Sequence, residues 1–243
     1  MRRQTPPDQT DSFRGDDLVQ PSRRFSPVGW AFRWLRWLAL RALLVAFLLV
    51  LVFAIFNPPT TRTIIVNARD YPIVERRWTP IEKISPVMLR STVAAEDANF
   101  CNHWGFDMDE IRRVIASGRS GGASTLSQQT VKNVYLWQER SWTRKSLEAV
   151  MTPLVEAIWS KRRILEVYLN VAEFGPGVFG IHAAAQYHFG TTPEKLNTIQ
   201  AARLAAVLPS PKTRDTRSAT SRSRAIADGA ATIANDGRDA CFR

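Results

Sequence analysis

The chain has 243 residues, 45% of them apolar and 23% charged, which suits one compact domain with appendages and excludes a disordered or fibrous protein. A formal charge of +11 points to anionic partners: nucleic acid, phospholipid headgroups or a phosphorylated substrate. Two distant cysteines and three histidines (His103, His182, His188) supply neither a disulfide framework nor a CxxC or HExxH metal spacing.

Residues 1–36 form a basic tail, and the first 29 of them are rich in Pro, Asp, Ser and Arg, with too little apolar content for a packed structure. The run Trp37–Phe56 then holds twenty residues with one charge, Arg41. That matches the roughly 20 residues of a bilayer-spanning helix. Arg41 lies near enough to its start to snorkel, and Trp30, Trp34 and Trp37 stand where an interfacial aromatic belt belongs. A buried core helix is the alternative, but apolarity on every face suits lipid better. Eight arginines against four aspartates in residues 1–41, with only Arg62 just beyond the run, leave the N-terminus in the cytoplasm and everything after Asn57 outside. No small-x-small cleavage site stands around Phe53 to Pro59, so the helix is expected to stay attached as the anchor of a periplasmic domain in the cytoplasmic (inner) membrane. Cys101 and Cys241 could pair in an oxidising compartment, but at this separation the reading favours free thiols.

Residues 57–80, with Pro58, Pro59, Pro72 and Pro80 around the β-branched patch Thr63 to Val66, read as a linker with one short extended segment. From Ile81 the period turns helical, and 81–211 reads as one mainly α domain. Ser85-Pro86 opens a helix through Met88, Leu89, Val93 and Ala94 that ends near Glu96-Asp97. Asp107 or Asp109 caps the next, with Ile111, Val114 and Ile115, until Gly118 to Gly122 breaks it. A long helix is expected from Thr143 to about Leu169. Leu147, Val150, Met151, Leu154, Val155, Ile158 and Trp159 form its apolar stripe, and Pro153 kinks it. Thr192 to Leu208 predicts another helix with Leu196, Ile199, Leu204 and Val207 inward, stopped by Pro209 and Pro211. Residues 212–243 are Arg-rich with little apolar periodicity before Ala225, and no hairpin series or βαβ alternation is read.

Three polar clusters interrupt the apolar pattern. Glu96-Asp97 follows an apolar helix and precedes aromatics, a setting in which partial desolvation raises a carboxylate toward a working general base. A solvated helix end is the plainer account, although carboxylates suit a helix C-terminus poorly. The stretch Gly121 to Asn133 sets glycines before Ser124 and Thr125 and then Gln128, Gln129, Lys132 and Asn133, a cradle for an anion. It lacks the GxxxxGK[ST] order of a P-loop, and a Ser-capped amphipathic helix behind a flexible loop explains it equally well. Arg140, Arg144 and Lys145 could hold a pyrophosphate, with Glu148 as a second carboxylate, or Glu148 could form an ordinary i, i+4 ion pair.

In order, ED-x-x-F-x-x-H-x-G (Glu96 to Gly105), G-x-S-T-x-x-Q-Q-x-x-K-N (Gly122 to Asn133), R-K-x-x-E (Arg144 to Glu148), I-L-E-x-Y-L-N (Ile164 to Asn170) with Gly175, and R-L-A-A-V-L-P (Arg203 to Pro209) resemble the five motifs of family 51 glycosyltransferases. This is the transglycosylase family also found as a domain of penicillin-binding proteins. With one membrane helix ahead and no transpeptidase domain behind, the chain is most similar to its monofunctional members. The resemblance implies a mainly α, lysozyme-like, two-lobed domain that polymerises lipid II into glycan strands. Glu96 would deprotonate the acceptor 4-hydroxyl, and Glu148 would position the site or assist departure of the polyprenyl pyrophosphate. Asp97, Ser124, Thr125, Gln128, Gln129, Lys132, Asn133, Arg140, Arg144 and Lys145 fall at motif positions expected to bind substrate. Tyr135, Leu136, Trp137 and Trp142 are read either as a membrane-facing lip or as core.

The implied partners are lipid II, the growing lipid-linked glycan, the bilayer, and cell-wall synthesis or division proteins. Members of the family can depend on a divalent cation such as Mg or Mn, though the sequence has no metal site. The segment Ile115 to Gly121 is short for the family, which reads as a trimmed donor-side loop. A lytic hydrolase of the same fold would not need the Gln128, Lys132 and Arg140 set. An inactive assembly protein would not need Glu96 and Glu148, and nucleic-acid binding conflicts with an exported domain.

Overall fold

The computed structural model describes residues 26–118 and 122–243. Most of the expected tail, and Arg119 to Gly121 of the expected glycine break, lie outside the described residues. The chain divides into two units, residues 1–44 and 45–243.

Helix α1 spans Pro27–Ile55 and so starts ten residues before the apolar run. At 29 residues it is about 43 Å long, more than the hydrocarbon core of a bilayer needs. Among the described residues it is the one helix long and apolar enough to cross a membrane. Within the first unit Trp30, Trp34 and Trp37 stack successively at 5.8 and 5.5 Å, and the Arg41 guanidinium lies 4.6 Å from the Trp37 ring.

The second unit begins with the last turns of α1, where side chains of the helical body reach carbonyls in the helix and, at Phe53 and Phe56, at its unpaired end. Trp159 donates to Val50 (2.8 Å), and Arg163 donates to Phe53 (3.1 and 3.2 Å) and Phe56 (3.0 Å). A cation there also complements the negative helix end. The β-branched patch expected to be extended is instead the short helix α2, Arg62–Asn67, capped by Thr61. Nor are residues 72–80 a free linker. Val74 N donates to Gly177 O (3.0 Å), Trp78 to Glu166 (2.9 Å), and Asn170 clamps both backbone groups of Thr79 (2.8 and 2.9 Å).

The helices α3 (Pro86–Glu96), α4 (Met108–Ala116) and α5 (Leu126–Tyr135) fall where the spacing placed them, and Asp107 caps α4. The long helix does not form as one piece. It divides into α6 (Trp142–Ile158) and α7 (Lys161–Val171), and the break falls at Trp159-Ser160, where the Ser160 hydroxyl caps α7, rather than at Pro153. The buried face of α6 also differs from the apolar stripe: it carries Arg144, Glu148, Thr152, Val155 and Glu156, while Leu147 and Val150 are 41% and 63% exposed. Val155 and Trp159 of the stripe are buried and Met151, Leu154 and Ile158 pack against the core, so apolar periodicity misreads only the first half of this helix, where the inward face is ionic.

A small hairpin, β1 (Glu173–Gly175) and β2 (Val178–Phe179), turns at Pro176-Gly177. Gly177 has φ +73°, and a Cβ on it would collide with the Pro72 carbonyl, so only glycine fits. Then follow α8 (Ile181–Phe189), α9 (Thr198–Val207) and α10 (Ser221–Asp236). The ninth helix begins six residues later than expected, and Ile199 is 61% exposed rather than inward.

The 212–243 segment, whose order the sequence leaves open, supplies α10, which packs on both α3 and α9. Met88, Phe100, Leu126, Ile164, Leu169, Leu204 and Val207 join in one buried core, a mainly helical body around two short strands. Cys101 and Cys241 are bonded, with Cα atoms 5.6 Å apart across 140 residues of sequence, against the free-thiol reading. Sequence distance carries no information here because α10 returns the chain end to α3. Cys241→Ser is expected to lower stability by about 2–5 kcal/mol, because the closed loop restrains the unfolded chain. Denaturation of the full-length protein in detergent checks this, and an unchanged midpoint would mean that the packing of α10 holds the end unaided.

Candidate active site

The first motif sits where α3 ends. Glu96 is its last residue and Asp97 the residue after it. A carboxylate at a helix C-terminus is unfavourable, but Asp97 turns away from α3 and serves the start of α5 instead. Its Oδ2 accepts from Leu126 N (2.9 Å) and its Oδ1 lies 2.9 Å from His103 Nε2. Gly105 adds a second tie, since its carbonyl accepts from Thr125 Oγ1 (2.6 Å). Its φ of +80° and a virtual Cβ only 2.8 Å from Thr152 exclude a side chain there. Asp97, His103 and Gly105 thus lock the second motif against the first.

The cap of α5 is Thr125 rather than a serine, and Thr125 and Gln128 form a reciprocal capping box, each side chain pairing with the other's backbone N–H. Three expected substrate-binding residues, Asp97, Thr125 and Gln128, therefore direct their polar atoms into the protein. The glutamine that reaches the carboxylate is Gln129. Its Nε2 donates to Glu96 Oε2 (2.9 Å) and its Oε1 accepts from the buried Tyr168 hydroxyl (3.2 Å). Glu96 Oε1 is buried and accepts no hydrogen bond from any described residue. Burial pushes the Glu96 carboxyl above its ordinary value, while the Gln129 amide, Arg222, Lys132 and Arg214 pull it back.

On α6 the Glu148 carboxylate is 3% exposed and saturated: Arg144 Nη1 donates to one oxygen and Lys145 Nζ to the other, both at 2.5 Å. Arg144 also donates to the Glu139 carbonyl (3.1 Å), and Lys145 reaches Ser124 Oγ (3.3 Å). Lys132, two turns into α5, makes no hydrogen bond or close ion pair among the described residues. Burial lowers its pKa, Glu148 and Glu96 oppose that, and Arg144 and Lys145 add to it.

These residues open on one another. A cavity of about 620 Å³ is lined by Ser124, Gln129, Lys132, Arg140, Lys145 and Glu148, among others. A second of about 420 Å³ shares Gln129 and Lys132 with it and adds Asn133, Glu173 and Lys212. A third of about 410 Å³ holds Glu96 and Asp97 and shares Gly122 and Ser124 with the first. Sequence reasoning misses Tyr168, Glu173, Arg214 and Arg222. Tyr168 and Glu173 lie in or beside the fourth motif and are legible only as packing, and the two arginines stand in a segment without a pattern. Of the expected lip, Leu136 is buried and Tyr135 and Trp137 pack against the core, whereas Trp142 is 88% exposed.

A divalent cation does not fit this donor set. Both oxygens of Asp97 and of Glu148 are already engaged, and no group of three or more potential ligands assembles among the described residues. The arrangement offers one carboxylate with an oxygen that accepts no hydrogen bond, in a cavity that shares Gly122 and Ser124 with a neighbouring cation-lined one, which is suited to taking a proton while an anionic leaving group departs.

Comparison with known proteins agrees with the motifs. The Transglycosylase family profile matches residues 65–233, which includes the second half of α2 and most of α10. A protein of Jannaschia sp. called biosynthetic peptidoglycan transglycosylase is 54% identical over 197 residues, 79% of this chain and 82% of its own. Proteins of the same name from Caulobacter vibrioides and Pseudomonas putida are 46% and 51% identical, over 71% and 67% of this chain and 81% and 73% of theirs. With the matched region enclosing Glu96, Glu148 and the cations between and around them, the chain belongs to the transglycosylase family and is a glycosyltransferase.

Proposed function

We propose that the chain polymerises peptidoglycan glycan strands from lipid II, with Glu96 as the general base. The observation that carries this is the asymmetry of the two carboxylates: Glu96 keeps one oxygen that accepts no hydrogen bond and has only a long 3.8 Å ion pair to Arg222, whereas Glu148 has both oxygens in ion pairs at 2.5 Å. In the proposed step Glu96 takes the proton of the acceptor 4-hydroxyl as that oxygen bonds to the donor anomeric carbon. The bond from that carbon to the pyrophosphate breaks, and the electron pair leaves with the polyprenyl pyrophosphate. Lys132 and Arg140 stabilise the charge gathering there, and Gln129 holds the base in line. Glu148 acts through Arg144 and Lys145, fixing both cations at the wall, while Asp97, Thr125 and Gln128 set the start of α5.

A lytic hydrolase needs two carboxylates free to act on the glycosidic bond and on water, and Glu148 is not free. The substrates carry polyprenyl tails, and α1 would keep the enzyme on the membrane that holds them. An exported catalytic domain with a cytoplasmic N-terminus is supported by the arginines ahead of the apolar run and by the Cys101–Cys241 bond, which suits an oxidising compartment. The test is to incubate the full-length protein in detergent with purified lipid II, and in parallel with finished glycan. Long polymer from the first and no cleavage of the second is expected; cleavage without polymer would give the hydrolase reading its place.

A further inference from the structure

The C-terminal segment grips the backbone on both sides of Glu96. Arg222, on the first turn of α10, donates from Nη2 to the carbonyl of Ala95 (3.4 Å), the residue before it. Arg238 donates to the carbonyl of Ala98 (3.1 Å), two residues after it, and the Cys241 disulfide fastens Cys101. The approach of α10 is close: a Cβ on Gly229 would stand 3.2 Å from the Ala94 side chain. Asp239, almost fully buried, pairs with Arg90 of α3 and with Arg243. This clamp leaves the same Arg222 Nη2 at 3.8 Å from Glu96 Oε1, the oxygen that accepts no hydrogen bond.

We infer that Arg222 is a positioning residue for the general base: anchored on the neighbouring carbonyl, its guanidinium holds a positive charge beside the Glu96 carboxylate and keeps it ionised. The inference rests on Glu96 being the base. The groups facing that carboxylate are Gln129 and Lys132 from α5, Arg222 from α10, Arg214 from the loop before it, and the Tyr168 hydroxyl behind Gln129. Gln129 is neutral, and Lys132 answers also to Glu148 and faces the cavity where a pyrophosphate would compete for it. Arg222 is the cation that pairs with Oε1 among the described residues, and its work against the burial of Glu96 is electrostatic.

The experiment is the pH dependence of kcat/KM for lipid II polymerisation by the full-length protein in detergent, comparing wild type, Arg222→Gln, Arg222→Lys and Glu96→Gln. Arg222→Gln is expected to move the acidic limb to higher pH with a near wild-type plateau. Each unit of displacement lowers the rate on the limb about tenfold. Arg222→Lys restores most of the original profile. Because the Arg222 side chain is 42% exposed, added salt should move the wild-type limb the same way and leave the Arg222→Gln limb in place. A rate lowered equally at every pH, or an unmoved limb, overturns the inference. Should Arg222→Gln not fold, the lysine variant and the salt response of the wild type decide alone. If Glu96→Gln still polymerises, the base assignment itself fails; if it is inactive while the Arg222→Gln limb stays put, only the role of Arg222 falls.

Discussion

Glu96→Gln should slow polymerisation by about a hundred- to ten-thousand-fold, the usual share of a general base, without unfolding the protein. The amide is isosteric and can still pair with Gln129, so the geometry of the cleft should survive. Stability should hold or rise. A carboxyl whose folded pKa lies above its unfolded value binds a proton more readily when folded, so its burial weakens the fold as pH climbs through that window. A neutral side chain removes this cost at neutral pH, and the melting temperature of the variant should be equal to or above that of wild type. The wild-type rate should follow a bell. Its acidic limb lies above the 4.5 of an ordinary glutamate because burial opposes ionisation of Glu96. Its alkaline limb lies below the 10.5 of an ordinary lysine because burial opposes protonation of Lys132. Lys132→Arg should erase the alkaline limb. Retention of more than a tenth of the rate by Glu96→Gln would remove Glu96 from the chemistry.

Much of this site can be read from residue order because its parts are local. The turn at Glu96-Asp97, the glycines before Ser124 and the basic run from Arg140 each lie within a few residues of sequence. What cannot be read is how the parts meet. Gln128 and Gln129 are adjacent and alike, and only the capping box decides that the first turns inward to Thr125 and the second outward to Glu96. Asp97 has the sequence setting of an active-site acid, and only the fold, by bringing the Leu126 amide of α5 to its Oδ2, makes it a structural acceptor. The stripe predicted for α6 holds in its second half, where Val155 and Trp159 are buried and Met151, Leu154 and Ile158 pack against the core, but Leu147 and Val150 are exposed because the inward face there is ionic, carrying Arg144 and Glu148. In the apolar run of α1 every face is apolar and periodicity is irrelevant, so composition locates the run and its end, but not the helix start ten residues before it. Helix α10 is hard to read because its inward stripe, Ser223, Ile226, Ala230 and Ile233, holds only two large apolar residues, and the rest of its anchoring comes from one disulfide and from arginines that pair with backbone carbonyls.

Glu148→Ala is expected to destabilise the protein by about 3–5 kcal/mol and to abolish most of its activity, for two separable reasons. The stability loss follows from Arg144, 11% exposed in its side chain, which would keep its charge in the interior with only the Glu139 carbonyl for a partner. Lys145 contributes less to that loss, since at 41% exposure water can replace the carboxylate. The activity loss follows from position, because without the carboxylate neither cation is held at the wall of the large cavity. Removing both members of the buried pair separates the two effects. In Arg144→Met with Glu148→Leu no charge is stranded, and apolar replacements of similar volume commonly restore or exceed the stability of a buried ion pair. The double variant should therefore melt near wild type and still fail to polymerise lipid II. If it regained the rate together with the fold, the pair would be scaffolding alone and the anion-binding wall would have to be sought in Lys132 and Arg140.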